Sequence, residues 1–327
     1  MDIFTHTIIG ILVYFPLILT LSSEAVLFLV AMAIFPDIDL FFEPISRKYK
    51  LYYLSHRAGT HSYVNGLLFT GIISLIISIL RNGLFLEIWT AGFIGYSLHV
   101  TLDLFTASKI PIFYPISKKE FRFLADRAVN PFLFLFSGIS FFILFLLFHT
   151  NPSYYLFRAL TTIYSSIYLG YFGARAILRI LVQVRLQKNQ HYIPGIFPWS
   201  YFIYEKDINE EGITFKLKKK FAFSSTKKEI FNHNIINKSE NMLYYELAEK
   251  LSNEYRFFHK WDSIIPFFQE NENSIQVVLI LVESYSNKSS YFLSIIFNKD
   301  TKKIKFQEEG FGSFKKWKTE FSADLFN

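Results

Sequence analysis

Long apolar runs fill the first half of the chain and break only at short polar motifs, whereas Lys, Asn and Glu dominate after about residue 185. A bilayer-crossing helix needs about 20 mostly apolar residues, within a range of roughly 17–25. Runs of that kind cover 5–21, 25–42, 63–80, 84–106, 131–149 and 154–182. The first is short for a span, and the last is long enough to tilt or to extend past the membrane. The first two are joined by a tight turn at Ser22-Ser23-Glu24. The pattern predicts a polytopic α-helical membrane bundle of about five to six transmembrane helices over 1–185, then a small soluble α/β domain over 190–327. Pro194 and Pro198 mark the linker. In the tail, Ser239 is placed to cap a helix running to about 258, with Leu243, Leu247, Leu251, Tyr255 and Phe258 on one face. Segments 275–282 and 291–297 read as strands of a hairpin across 284–290, with 303–306 as a third strand.

Charge orients these expected spans. Arg47, Lys48, Lys50 and Arg57 lie in one loop, and Lys109, Lys118, Lys119, Arg122 and Arg127 in another, whereas the opposite side offers Arg81 and, just inside the sixth run, Arg158. Under the positive-inside rule, both termini and the tail are cytoplasmic and the protein is a multi-pass protein of the inner membrane.

Composition narrows the chemistry. Half of the residues are hydrophobic and 19% are aromatic, as expected for contact with membrane lipids. The net charge of +7 is carried mainly by loops between apolar runs, where topology and anionic headgroups explain it without nucleic acid. The chain has no cysteine, which excludes disulfides, zinc–thiolate sites and thiol catalysis. Met1-Asp2 opens the sequence without a basic region or a small-residue cleavage site, so His6 is expected to persist.

Four polar motifs carry the candidate chemistry: Thr5-His6, Phe35-Pro36-Asp37-Ile38-Asp39, the stretch from His56-Arg57 to Thr60-His61-Ser62, and Ser97-Leu98-His99 through Asp103. Their histidines and aspartates are ligand types for zinc, manganese or iron, and ionisable groups near hydrocarbon mark functional sites. His99 and Asp103 are four apart in a helical run and share a face; they could bind one ion, bridge two, or tie helices together by a hydrogen bond. Asp37 and Asp39 follow the helix-stopping Pro36, in a turn that could equally be a polar helix end. His56 and His61 flank a glycine-containing loop in which Arg57 could hold an anion or serve as a charged anchor, and Ser62 could cap the next helix. His6 is the weakest candidate ligand. Asp126 could add a ligand or pair with Arg127. There is no HExxH helix, phosphate-binding glycine loop or GxSxG elbow.

In order and context, these motifs, with Thr106 and Pro115, resemble the YdjM-type family of inner-membrane-associated, metal-dependent hydrolases over roughly residues 1–135. That family is distantly similar to zinc-dependent phospholipase C. The resemblance implies that His99 and Asp103 contribute to a metal centre and that phosphoester hydrolysis is the reaction. Ala107-Ser108-Lys109 stands where family members commonly have a glycine, and Asn130-Pro131 where they tend to have an aspartate–proline pair.

The resulting expectation is a membrane-bound metal-dependent hydrolase. A divalent ion, zinc before manganese or iron, is held by His6, Asp37, Asp39, His56, His61, His99 and Asp103. Asp39 and Arg57 assist catalysis on a membrane-associated phosphoester at the cytoplasmic face, through water whose pKa the ion lowers towards about 7. The alternative is a non-enzymatic, metal-stabilised membrane scaffold or sensor with the tail as an interaction domain of unidentified partner.

Overall fold

A computed structural model describes residues 1–17, 20–49, 51–150, 154–224, 227–284, 289–313 and 317. The chain divides into two compact units, Met1–Ala176 and Ile177–Asn327.

The first unit is helical: α1 (Ile3–Leu17), α2 (Ser23–Met32), α3 (Asp39–Tyr49), α4 (Tyr63–Arg81), α5 (Phe85–Leu104), α6 (Pro131–Thr150) and the start of α7 (Tyr154–Gln183). Ser22 and Ser62 cap α2 and α4 by accepting from the backbone N–H of Ala25 and Val64. Phe28, Leu29 and Met32 of α2 pack on Ile88, Ala91 and Val100 of α5, while Ile8 and Leu12 of α1 pack with Leu133, Leu144 and Tyr168 of α6 and α7. Glycine sets the α2–α5 spacing: a Cβ on Gly95 would lie 2.0 Å from the Leu29 carbonyl oxygen, and one on Gly92 would lie 2.1 Å from the Phe28 ring.

The predicted bundle of five to six transmembrane helices is not what forms. Among the described residues, α4 alone is long and apolar enough to span a membrane, or two spans exist if the bent pair Ser23–Met32 and Phe35–Ser46 counts as one. On α4 the polar Asn65, Thr70 and Ser74 are buried while Leu68, Ile72, Ile79 and Leu80 are exposed, the reverse of a soluble helix. The other runs fail for physical reasons. At 1.5 Å per residue, the 15 residues of α1 reach only about 22 Å, short of a core about 30 Å thick. After α2 the chain bends by 53° at the break between Met32 and Phe35, just before Pro36. The 20-residue α5 is diluted by Glu87, His99, Asp103 and glycines, and Arg158 and Arg175 interrupt α7. Multi-pass topology and cytoplasmic termini therefore lose their support, because the charge asymmetry has no such set of spans to orient.

The tail differs from its expected α/β outline as well. It holds two four-stranded antiparallel sheets, each in sequential order. The first comprises β1 (Gln190–Pro194), β2 (Ser200–Asn209), β3 (Gly212–Phe221) and β4 (Lys227–Ile236). The second comprises β5 (Ile264–Asn271), β6 (Ser274–Leu281), β7 (Ser290–Asn298) and β8 (Ile304–Gly312). Between them lie α8 (Glu240–Ser252), capped by Ser239, and the short α9 (Arg256–Lys260). The expected hairpin strands correspond to β6 and β7; most of their expected loop, 285–288, lies outside the described residues. The Tyr204 hydroxyl donates to the Ile264 carbonyl at 2.7 Å, linking the two sheets.

Asp126 is fully buried and fastens α7 within the first unit. Its carboxylate accepts from the Tyr171 hydroxyl at 2.6 Å and Asn130 Nδ2 at 2.8 Å, and lies 3.2 Å from Arg175 Nη2. Removing one member of a buried ion pair costs about 3–5 kcal/mol, because the other charge stays buried without its partner. Asp126→Ala is therefore expected to lower the thermal unfolding midpoint of the detergent-solubilised protein sharply, and adding Arg175→Met to recover part of the loss; equal losses in the single and double variants would contradict this role.

Candidate metal centre

Four segments converge where α2 ends. The turn after α2 supplies Asp37, the α3 N-terminus supplies Asp39, the loop before α4 supplies His56, Arg57 and His61, and the last turn of α5 supplies His99 and Asp103. The close approach at Gly95 brings the α2 C-terminus to His99, whose Nδ1 lies 2.9 Å from the Ala33 carbonyl oxygen. A carbonyl can only accept, so His99 carries its proton on Nδ1 and leaves Nε2 with a lone pair. His61 is fixed the same way. The Thr60 hydroxyl gives its proton to Asp39 Oδ2, so His61 Nδ1, at 3.1 Å from Thr60 Oγ1 and 3.2 Å from Asp39 Oδ2, is itself the donor. Its Nε2 is then an acceptor too.

Those two imidazole lone pairs face each other with two carboxylates. His61 Nε2 is 3.2 Å from His99 Nε2, 3.5 Å from Asp37 Oδ1 and 3.1 Å from Asp103 Oδ2. His99 Nε2 is 3.5 Å from Asp37 Oδ1 and 3.9 Å from Asp103 Oδ2. A tetrahedral zinc with bonds of about 2.0–2.1 Å separates its ligand atoms by about 3.3 Å. Five edges of this four-atom set thus scatter around the spacing that one small divalent ion imposes. Asp37 Oδ1 is buried without a hydrogen-bond donor, a state costing about 1–3 kcal/mol unless a cation compensates; the Asp103 oxygens meet the Met1 amine and Arg57 Nε. By donor type, spacing and unmet acceptor capacity, the residues fit a bound metal ion.

The remaining predicted residues surround this set. Asp39, expected both as a ligand and in catalysis, holds other groups in place. Its carboxylate accepts from the Arg57 backbone N–H at 3.1 Å and lies 2.6 Å from His56 Nδ1, in addition to its contacts with Thr60 and His61. It could still join Asp37 and His56 in a second group close enough to hold an ion. His6 stacks on His99 with ring centroids 3.7 Å apart; its Nε2 is 3.5 Å from Asp103 Oδ1 and neither ring nitrogen is hydrogen-bonded. Arg57 turns inward, in a left-handed backbone conformation (φ 58°). Its Nε lies 3.2 Å from Asp103 Oδ2, and its terminal nitrogens donate to Ser108 Oγ and to the Met1 and Ala128 carbonyls. The Met1 amine also meets Asp103. Asp126 belongs to the α7 anchor instead.

The cluster is nearly sealed. The side chains of His61, His99, Asp103 and Asp39 are fully buried, and exposure is confined to Asp37 at 16% and His56 at 24%. Burial holds the His56 imidazole below its ordinary pKa, against the opposing pull of Asp39. Several supporting groups escaped the sequence reading. Glu43 Oε2 accepts from the His56 backbone N–H at 2.8 Å, and its place four residues after Asp39 on α3 was the available signal. The Tyr96 hydroxyl donates to the Thr60 carbonyl, one turn before His99. The Ala33 carbonyl carries no sequence signal.

Helices packed round a buried His/Asp metal-binding group, with an outward-facing apolar helix beside them, define the first unit as a membrane-associated protein with a candidate metal centre. The family described as YdjM inner membrane protein matches residues 1–177, and the chain belongs to that family. No curated protein and no solved structure matches the chain.

A residue that orients a histidine ligand typically changes metal affinity by about 10–100-fold. Asp39→Asn is expected to weaken zinc binding by that factor in a chelator competition while leaving the site fillable at saturating zinc; His61→Ala and His99→Ala are expected to abolish stoichiometric binding. Unchanged affinity in Asp39→Asn would remove the orienting role.

Proposed function

We propose that the chain is a membrane-bound metal-dependent hydrolase acting on a phosphoester, with zinc as the ion and manganese or iron able to replace it. The observation that carries this reading is the convergence of four acceptor atoms from Asp37, His61, His99 and Asp103, spaced as ligands of one ion. Two nitrogens and two oxygens in a chain without cysteine suit all three metals, and the near-tetrahedral spacing favours zinc. When bound, such an ion supplies Lewis acidity and makes water acidic enough to be a nucleophile at neutral pH. The family assignment supports location at the membrane, and the phosphoester rests on the resemblance to phospholipase C.

The chain's own residues then divide the work. His56 stands at the partly open edge with Nδ1 held by Asp39, which leaves Nε2 to accept or return a proton as general base or acid. Asp39 fixes that tautomer and orients His61. Arg57 positions Asp103 instead of reaching the substrate, since its donors are directed at Asp103, Ser108 and two carbonyls. Asp37, at the same edge, is the ligand nearest an incoming substrate.

The scaffold reading keeps one supporting observation. Met1, Arg57 and His6 crowd the buried Asp103, as in closed structural sites, which leave no open coordination position. The two readings part on His56. Loss of a general base costs about 10²–10⁴ in rate. His56→Ala is expected to retain metal yet lose at least a hundredfold in hydrolysis of bis(p-nitrophenyl) phosphate or p-nitrophenylphosphocholine by the zinc-loaded protein, whereas His99→Ala/Asp103→Ala loses metal and activity together. A zinc-loaded wild type that hydrolyses neither compound above the double variant would leave the scaffold reading.

A further inference from the structure

One end of the first sheet of the tail carries an unusual surface. β2 begins where β3 ends, with Ser200 opposite Phe221, so the residues before β2 and those just after β3 lie side by side. The Ala222 N–H donates to the Trp199 carbonyl at 2.8 Å, joining them directly. Phe197 and Trp199 stack on each other with centroids 5.5 Å apart, yet are 46% and 45% exposed. On the neighbouring connection Phe221 is 38% and Phe223 is 92% exposed.

Lysines rim these aromatics. In the β3–β4 register Lys219 stands opposite Lys228, and Lys220 opposite Lys227. Like charges directly opposite one another destabilise a sheet, and alternation along the strand puts the two pairs on opposite faces of the ribbon. Carboxylates do appear one step further in: Glu205 lies 3.7 Å from Lys216 and 3.6 Å from Lys218, and Lys218 is paired in register with Glu229. Towards the tip, Lys219 reaches the Phe221 ring at 5.1 Å and no carboxylate stands in register with Lys219, Lys220, Lys227 or Lys228. The repulsion is also felt by Lys220, whose pKa burial and its lysine neighbours lower.

We infer that this end of the sheet docks on an anionic phospholipid surface, with Trp199, Phe221 and Phe223 at the headgroup–acyl boundary and the four tip lysines on lipid phosphates. Tryptophan and phenylalanine rings suit that boundary, and lysine stems can lie along apolar surface while their ammonium groups stay at the phosphates. An anionic plane relieves both lysine pairs at once, whereas water leaves the aromatics exposed. Lysines beside stackable rings could also suit single-stranded RNA. The lipid is favoured because the chain belongs to an inner membrane protein family and carries a candidate span, which keeps a bilayer at hand. This inference is independent of the hydrolase reading.

The chain has no cysteine, so Phe223→Cys places a single environment-sensitive fluorophore at the tip, and Glu210→Cys places one at the opposite end of the sheet as a control. The full chain is reconstituted in nanodiscs of phosphatidylcholine alone or doped with phosphatidylglycerol, at about 0.1 M salt so that surface charge is only partly screened. The expected result is blue-shifted, several-fold brighter emission at 223 in the anionic discs only, with 210 unchanged. Each lysine near such a surface contributes about fivefold in partitioning. Replacing Lys219, Lys220, Lys227 and Lys228 by Gln should therefore return the probe at 223 to its aqueous emission, while circular dichroism confirms the retained fold. Aqueous emission at 223 in both disc types would overturn the inference. A response at 223 to oligouridine without one to phosphatidylglycerol would also overturn it, in favour of nucleic acid.

Discussion

Two imidazole lone pairs and two carboxylate oxygens that face one another in a buried space repel unless positive charge lies among them. The Ala33 carbonyl and the Thr60–Asp39 pair direct the Nδ1 edges of His99 and His61 outward, so both Nε2 atoms face the carboxylates. Arg57 and the Met1 amine neutralise part of the charge on Asp103 from outside the four-atom set. Among the described residues nothing donates a hydrogen bond to Asp37 Oδ1. The arrangement of α2, α3, α4 and α5 makes physical sense as a frame for a cation.

The frame is built from close approaches. Gly92 and Gly95 let α2 lie against α5, and the turn at Pro36 ends the apolar run so that Asp37 and Asp39 diverge to separate tasks. Asp37 joins the ligand set, while Asp39 gathers Arg57, Thr60, His61 and His56 around one carboxylate. A buried polar network of this kind specifies one geometry when its members are satisfied, and the unsatisfied atoms left at its centre mark where a ligand belongs.

Much of this site was legible in the residues and less of the fold. His99 and Asp103 declared themselves by helical spacing, and the aspartates of the Pro36 turn by their place at the end of an apolar run. Their division of labour was not legible, since it depends on which helix end each carboxylate meets. The spans were misread because apolar content does not distinguish a helix with its apolar face exposed, such as α4 with Leu68 and Ile72 outward, from one packed in a core, such as α2 with Phe28 and Leu29 inward. The first sheet of the tail went unseen because Lys216, Lys218, Lys219 and Lys220 mask the alternation of Phe215 and Leu217, the inward residues of β3. The Ser239 and Ser62 caps were readable because an N-cap is a local rule.

X-ray absorption at the metal edge, combined with elemental analysis of the purified full-length protein, tests the central claim most directly. The expected result is about one tightly held divalent ion per chain, in a nitrogen/oxygen shell near 2.0–2.1 Å with imidazole scattering and no sulfur. A folded protein that takes up no stoichiometric zinc, manganese or iron, or that holds its ion without imidazole, would contradict it.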